Sequence, residues 1–224
     1  MRGRALFFVL LPVRLFAAEE TLATWNAETK TLPIANAAKI DATALSVIEI
    51  QASDGASVVY ADIQNHIETL VFEGVAMLEG RGIFTSLTQL KHVTVTGAET
   101  IGQYTFSSCK QLSSVVIADV NTIEQYAFSD CRRLANIEIT GRGKDSGSCI
   151  GEYAFRSCGA DISDEAGEET GIIQDVGIIE GYACIYGRWK KAAFKGIGSI
   201  GHIIPGQFGR RNSLCAQPND RSDG

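Results

Sequence analysis

The amino-acid sequence predicts a repeat solenoid, in which short units stack along one axis and share a continuous core. A nine-residue phrase occurs three times, as IGQYTFSSC (101–109), IEQYAFSDC (123–131) and IGEYAFRSC (150–158). A second pattern, a large aliphatic residue followed three and five positions later by two more, recurs at steps of 22, 23, 22 and 22 residues. A fixed period of about 20–50 residues is typical of stacked repeat units.

The aliphatic pattern has five members, which are Leu45/Ile48/Ile50, Ile67/Leu70/Phe72, Leu90/Val93/Val95, Leu112/Val115/Ile117 and Leu134/Ile137/Ile139. Downstream, TGIIQDVGIIEGYAC (170–184) aligns without gaps on SVVIADVNTIEQYAF (114–128), and SIGHII (199–204) reads as a worn copy. Five extra residues between Ile139 and Ile150 read as a loop insertion. The repeat region is therefore expected over 45–204, in about six coils.

Each unit divides into a strand and a turn. Val93, Thr94 and Val95 alternate apolar and polar with period 2, which indicates a short strand with one buried face. Phe106, Cys109 and Leu112 are three residues apart, so one turn of 3₁₀ or α-helix would place them on one side. A single unit cannot bury this apolar row, and copies must therefore stack.

The strand pattern followed by the phrase and a further leucine resembles the BspA-type leucine-rich repeat, a class found in secreted or surface proteins of bacteria and protists. The resemblance covers about residues 45–204. It implies a curved, right-handed β-solenoid with a parallel inner sheet and short helical or 3₁₀ turns. It also implies protein–protein contact, including adhesion to host matrix or other cells, and no catalytic residues.

The termini and the charge refine this interpretation. Arg2 and Arg4 precede an apolar run too short to span a bilayer, and Ala17 and Ala18 are small enough for cleavage, so 1–18 is predicted to be a signal peptide. The alternatives are a membrane anchor or an ordinary N-terminal extension. Residues 19–44 are expected to cap the first coil, and 205–224 to form a tail. The net charge of −6 argues against nucleic-acid binding, and no segment of the mature chain is expected to insert into a membrane.

Three of the six cysteines, Cys109, Cys131 and Cys158, occupy one repeat position beside the core. Stacked rungs leave their Cβ atoms slightly wider apart than a disulfide prefers, and buried cysteine behaves as a small hydrophobe. Buried free thiols are therefore predicted. Cys149, Cys184 and Cys215 lie outside this ladder and are the better candidates for any bridge.

Several stretches imitate active sites without completing one. GIGSIG (196–201) fits a dinucleotide-binding pattern, but Pro205 would interrupt the helix that this pattern needs. GKDSGS (143–148) has no nearby base, DISDEAGEE (161–169) lacks EF-hand spacing, and the histidines at 66, 92 and 202 are scattered. No catalytic residue, cofactor or metal site is predicted.

The exposed side of the inner sheet is the remaining candidate site. The alternation points Glu49, Val71, Thr94, Val116, Glu138 and Ile172 outward, flanked by Val47, Thr69, His92, Ser114 and Asn136. The predicted ligand-binding face consists of Val71, His92, Thr94, Ser114, Val116, Asn136 and Glu138. Apolar residues in an outward row with polar borders suit a protein or extended peptide ligand, although β-branched residues also serve strand propensity alone.

Two functions remain open from the sequence. The chain is either an exported or cell-surface module that binds a protein or peptide through its concave sheet, or a structural spacer or fragment of a larger surface array without a ligand of its own. An enzyme is not predicted.

Overall fold

The computed structural model describes residues 22–79, 82–159, 161, 170–183 and 191–201. Within them the chain forms two sheets, two short α-helices and one 3₁₀ turn. The strands are β1 (Leu22–Trp25), β2 (Thr31–Ala35), β3 (Lys39–Ile40), β4 (Ile50–Ala52), β5 (Ser57–Val58), β6 (Thr69–Glu73), β7 (Met77–Leu78), β8 (His92–Thr96), β9 (Thr100–Ile101), β10 (Ser114–Val120), β11 (Thr122–Ile123), β12 (Asn136–Gly141), β13 (Cys149–Ile150), β14 (Thr170–Gln174), β15 (Ile178–Ile179), β16 (Lys191–Lys195) and β17 (Ser199–Ile200). The helices are α1 (Ala42–Val47) and α2 (Tyr60–Ile63), and the 3₁₀ turn covers Gln64–His66.

The repeat unit is a long strand followed by a two-residue strand. The long strands form one sheet in the order β16-β14-β12-β10-β8-β6-β2-β1-β4-β5, and the short ones form a second in the order β17-β15-β13-β11-β9-β7-β3. From β2 to β16 and from β3 to β17 all neighbours pair in parallel. The predicted parallel sheet is therefore present, with a second parallel sheet beside it. The worn copy at Ser199–Ile200 does supply a strand, β17.

A column of phenylalanine side chains fills the space between the sheets. Phe84, Phe106, Phe128 and Phe155 are fully buried, and successive ring centroids lie 5.4, 5.0 and 5.1 Å apart in nearly parallel planes. Phe72, from strand β6, packs against the first ring at 5.4 Å. Such contacts add to the free energy gained by removing each ring from water. The recurring phrase of the sequence thus supplies three of the four stacked rings, Phe106, Phe128 and Phe155.

The long strands are closed by residues with positive φ. Asn36, Gly74, Gly97, Asp119 and Asp175 have φ between 55° and 76° at equivalent places after or near the ends of β2, β6, β8, β10 and β14. Glycine, asparagine and aspartate tolerate this left-handed conformation best among the residues. The chain can therefore leave one sheet and enter the other within three or four residues.

The first repeat differs from the sequence prediction. The strand that pairs with β6 is β2, whose Leu32 and Ile34 point inward with no exposed surface, whereas Leu45 lies in α1. Ile50 lies in β4, which pairs with β1 and β5 instead of with a repeat strand. The prediction that Leu45, Ile48 and Ile50 form a repeat strand is therefore wrong. The spacing alone could not distinguish one apolar turn of helix from the start of a repeat.

The segment around α1 and α2 covers the N-terminal end of the core. Asp41 caps α1 by accepting the backbone N–H of Ala44 at 2.8 Å, so a helix begins where the other repeats carry the phenylalanine turn. The ring of Tyr60 stands edge-on to Phe84 at 6.0 Å. Open ends of repeat arrays expose core and need such a cover. The first parallel strand thus falls inside the predicted cap of 19–44, while part of the cover comes from residues after 45.

The insertion before β13 is a loop, as the sequence predicts. The Ser148 hydroxyl is buried and accepts the backbone N–H of Gly177 at 2.9 Å. A Cβ at position 177 would lie 2.9 Å from the Ser148 carbonyl oxygen, so only glycine fits there without a shift. The loop therefore packs closely against the turn of the following repeat.

No helix among the described residues has the length and apolar character needed to cross a bilayer. The predicted signal peptide (1–18) and tail (205–224) lie outside the described residues.

Candidate binding surface

The strand register brings the predicted outward residues into two straight rows across the long-stranded sheet. In the first, Val71 pairs with Thr94, Thr94 with Val116, Val116 with Glu138 and Glu138 with Ile172. In the second, Thr69, His92, Ser114, Asn136 and Thr170 pair in the same order. The strand register therefore aligns the predicted residues from Val71 to Ile172 and from Thr69 to Asn136, and their role in binding stays a prediction. We call the first set the outward row and the second the flanking row.

The outward row alternates with buried neighbours, so its side chains face away from the core. Val71 and Thr94 are half-buried, Glu138 is exposed, and Val116 is 38% exposed, which is large for an aliphatic side chain. Val115 and Ile117, on either side of it, are buried. Apart from Glu138, the row from Val71 to Ile172 carries no charged side chain.

Two residues assigned to these rows lie elsewhere. Glu49 stands just before β4 and has no register partner in the row, and Val47 is the last residue of α1 with 75% of its surface exposed. The residue that pairs with Val71 on its N-terminal side is Pro33, and the residue that pairs with Thr69 is Thr31. Both corrections have one cause, the helix that replaces the expected first repeat strand.

An ion-pair cluster borders the start of the flanking row. Glu68, the residue before Thr69, binds Lys30 at 2.7 Å and Lys91 at 2.6 Å, so one carboxylate links three successive repeats. Hydrogen bonds from these two lysines, chiefly that of Lys30, lower the pKa of Glu68 to about 2. Glu68 is half-buried, but both lysine side chains are exposed, so the contribution of these ion pairs to folding is small.

The three ladder cysteines, Cys109, Cys131 and Cys158, are buried and unbridged, as predicted. Each thiol donates to the backbone carbonyl of the phenylalanine one repeat earlier, over 3.2–3.3 Å. Burial raises the pKa of Cys109 to about 12 and that of Cys131 well above its usual value. All three thiols are therefore shielded, and Cys109 and Cys131 are un-ionised at neutral pH.

Cys149 differs from the ladder because it lies on the short-stranded sheet, is unbridged and is only half-buried. Burial and then the Glu180 carboxylate raise its pKa to about 11, which disfavours the thiolate. Cys184 and Cys215 lie outside the described residues.

The stretches that imitate active sites have structural roles where they are described. In GIGSIG, Gly196 and Gly198 lie in the turn between β16 and β17, and Gly201 follows β17 (Ser199–Ile200). Nearly all of DISDEAGEE lies outside the described residues. In the part of the chain that the structure describes, no group of three or more histidine, cysteine or acidic residues is placed to hold a metal ion.

The structure contains a column of tyrosine rings that was not predicted from the sequence. Tyr104, Tyr126, Tyr153 and Tyr182 stack with centroids 4.9, 5.0 and 5.6 Å apart and planes within 14° of parallel. All four are half-buried and have φ between 56° and 61°. The signal was present, since each is the fourth residue of its copy of the phrase or of IEGYAC. We call this column the tyrosine ribbon.

A family model described as the BspA type leucine rich repeat region matches residues 62–164 in six copies. No curated protein and no solved structure matched. Repeats of this kind are generally non-enzymatic modules for contact with other proteins. Residues 62–164 therefore carry repeats of the BspA type, as the sequence predicts.

Proposed function

We propose that this chain is an exported or cell-surface module that binds another protein, or an extended peptide, across the outward row. In this proposal the repeats form a curved, right-handed solenoid of about six coils with the row on its concave side. The observation that carries it is the register of Val71, Thr94, Val116 and Glu138 on adjacent parallel strands. BspA-type repeats are typically surface-associated in bacteria, which supports export and a role in adhesion.

The dimensions of the row indicate how it would bind. Adjacent strands are about 4.8 Å apart, so the row from Val71 to Glu138 is about 15 Å long. A standard protein interface buries about 800 Å² per partner, which is more than this strip offers. The row would therefore form the apolar centre of the contact, and flanking residues such as His92 and Asn136 would exclude water around it.

The test is a double substitution, Thr94→Glu with Val116→Glu. It would place two unpaired charges in the centre of the contact, and neither side chain enters the core, so folding should be little affected. A matched control is Thr88→Glu with Gln89→Glu, two exposed positions in the turn before β8. A pull-down of the mature chain against matrix and cell-surface proteins identifies the partner.

We expect the row variant to lose at least tenfold in affinity with an unchanged melting temperature, while the control binds normally. Normal binding by the row variant would exclude the outward row, and the insertion loop at 140–149 would then be tested next. A screen in which the wild-type protein captures no partner would favour the alternative function, a structural spacer. In a spacer the β-branched residues of the row would be present only because they favour strand formation.

A further inference from the structure

The tyrosine ribbon is not required by the backbone. Tyr104, Tyr126, Tyr153 and Tyr182 occupy the left-handed region, which is unfavourable for bulky residues, and yet the equivalent place one repeat before Tyr104 is taken by Gly82 with φ 71°. The same turn therefore forms without a ring. Non-glycine residues held in this conformation cluster at functional sites, because the free energy they cost must be offset elsewhere.

The ribbon is not needed for the core either. The buried aromatic column is the phenylalanine stack, in which Phe106 and Phe128 are fully buried, whereas Tyr104 and Tyr126 are half-buried. Each tyrosine ring stacks on the ring of a neighbouring repeat, so Tyr126 and Tyr153 have both faces covered, and the edges of the four rings form one continuous surface strip. A half-exposed aromatic strip of this kind is suited to contact with another molecule.

Carboxylates border the ribbon at fixed positions. Glu124 accepts the backbone N–H of Gln103 at 2.9 Å, and Glu180 accepts that of Glu152 at 3.0 Å. Gln103 directly precedes Tyr104, and Glu152 directly precedes Tyr153. Each of these hydrogen bonds therefore holds a carboxylate close to a ribbon tyrosine of the neighbouring repeat. Burial, followed by the Glu152 charge, raises the pKa of the Tyr153 phenol.

These three glutamates form no ion pair with any residue that the structure describes. Arg156 also affects Tyr153, because its positive charge lowers the pKa of that phenol whereas the Glu152 charge raises it. In contrast, Glu68, Glu79 and Glu99 on other parts of the surface each have a lysine or arginine partner within 2.7 Å. The carboxylates beside the ribbon are therefore available to pair with positively charged groups of a ligand.

We propose that the tyrosine ribbon and its border, Glu124, Glu152 and Glu180, form a second binding surface, and that its ligand is an extended, lysine- or arginine-bearing segment of a partner protein. The aliphatic stems of such side chains would lie along the ring edges while their charged ends reach the carboxylates. The net charge of −6 would also favour the approach of a basic partner.

The probe is a ten-residue peptide of alternating lysine and serine with blocked termini, titrated into the whole chain by calorimetry. An arginine–serine peptide and a glutamate–serine peptide are compared with it. The first variant combines Glu124→Gln, Glu152→Gln and Glu180→Gln. The amide oxygen of glutamine can still accept the two backbone N–H bonds, so the fold is maintained. Its matched control is Glu28→Gln, Glu49→Gln and Asp62→Asn, three exposed acids near the N-terminal end.

A second variant, Tyr126→Gly, copies Gly82 and removes one ring from the ribbon without straining the turn. We expect both basic peptides to bind wild type and the acidic peptide not to bind. The triple glutamine variant and Tyr126→Gly should each weaken binding at least fivefold, and the control should not. The proposal is overturned if no basic peptide binds, if the control weakens binding as much as the triple variant, or if Tyr126→Gly has no effect.

This test is independent of the outward row. The Thr94→Glu, Val116→Glu variant should bind the basic peptides as wild type does, because neither residue lies in the ribbon or its border. A result that excludes one of the two binding surfaces would therefore not exclude the other.

Discussion

Replacing Phe128 with alanine should strongly destabilise the aromatic core. The ring is fully buried and lies between two parallel neighbours, Phe106 at 5.0 Å and Phe155 at 5.1 Å. Phenylalanine-to-alanine changes in cores cost about 3–5 kcal/mol, and each aromatic pair is worth about 0.5–1.5 kcal/mol beyond its area. Two pairs are lost together, so we expect about 4–5 kcal/mol.

Urea unfolding followed by circular dichroism measures this change, with Val116→Ala as the control. Val116 is 38% exposed on the same array, so its truncation should cost less than about 1 kcal/mol. A loss below about 1 kcal/mol for Phe128→Ala would refute the reasoning, because the stacked rings would then contribute little to the core.

The ladder cysteines should resist alkylation in the native protein and react in denaturant without reductant; mass spectrometry that finds bridges among them would contradict this. In a secreting host the product should begin near Ala18 or Glu19, and N-terminal sequencing that finds Met1 would exclude a cleaved signal. The pKa of Glu68 is lowered from 4.5 to about 2, so its stabilising effect should be complete above pH 4.5 and lost as the pH falls towards 2. Acid titrations of wild type and Glu68→Gln should therefore converge at low pH, and a constant difference in stability would refute the assignment.

The sequence predicted the parts of the fold that repetition controls. Inward positions such as Phe106, Cys109 and Leu112 recur because every copy must fill the same space, and all three are fully buried. The alignment of Thr94 and Val116 followed from the same period. The N-terminal cover could not be predicted in this way, because Leu45 and Ile50 satisfy the spacing while Asp41 caps a helix between the repeats. Local hydrogen bonding there overrides the pattern.

The tyrosine ribbon shows why a repeated residue need not belong to the core. Outward positions on the long-stranded sheet differ between copies, from Thr94 to Val116 to Glu138, because the fold requires no single side chain there. Tyrosine keeps its place in four copies although it is half-buried and its backbone conformation is costly. Packing into the core cannot explain that repetition, and neither can the turn, which accepts Gly82. Two explanations remain, the free energy of stacking one ring on the next and the free energy of contacts between the exposed ring edges and a ligand. The stability of Tyr126→Gly without peptide measures the first, and its affinity for a basic peptide measures the second.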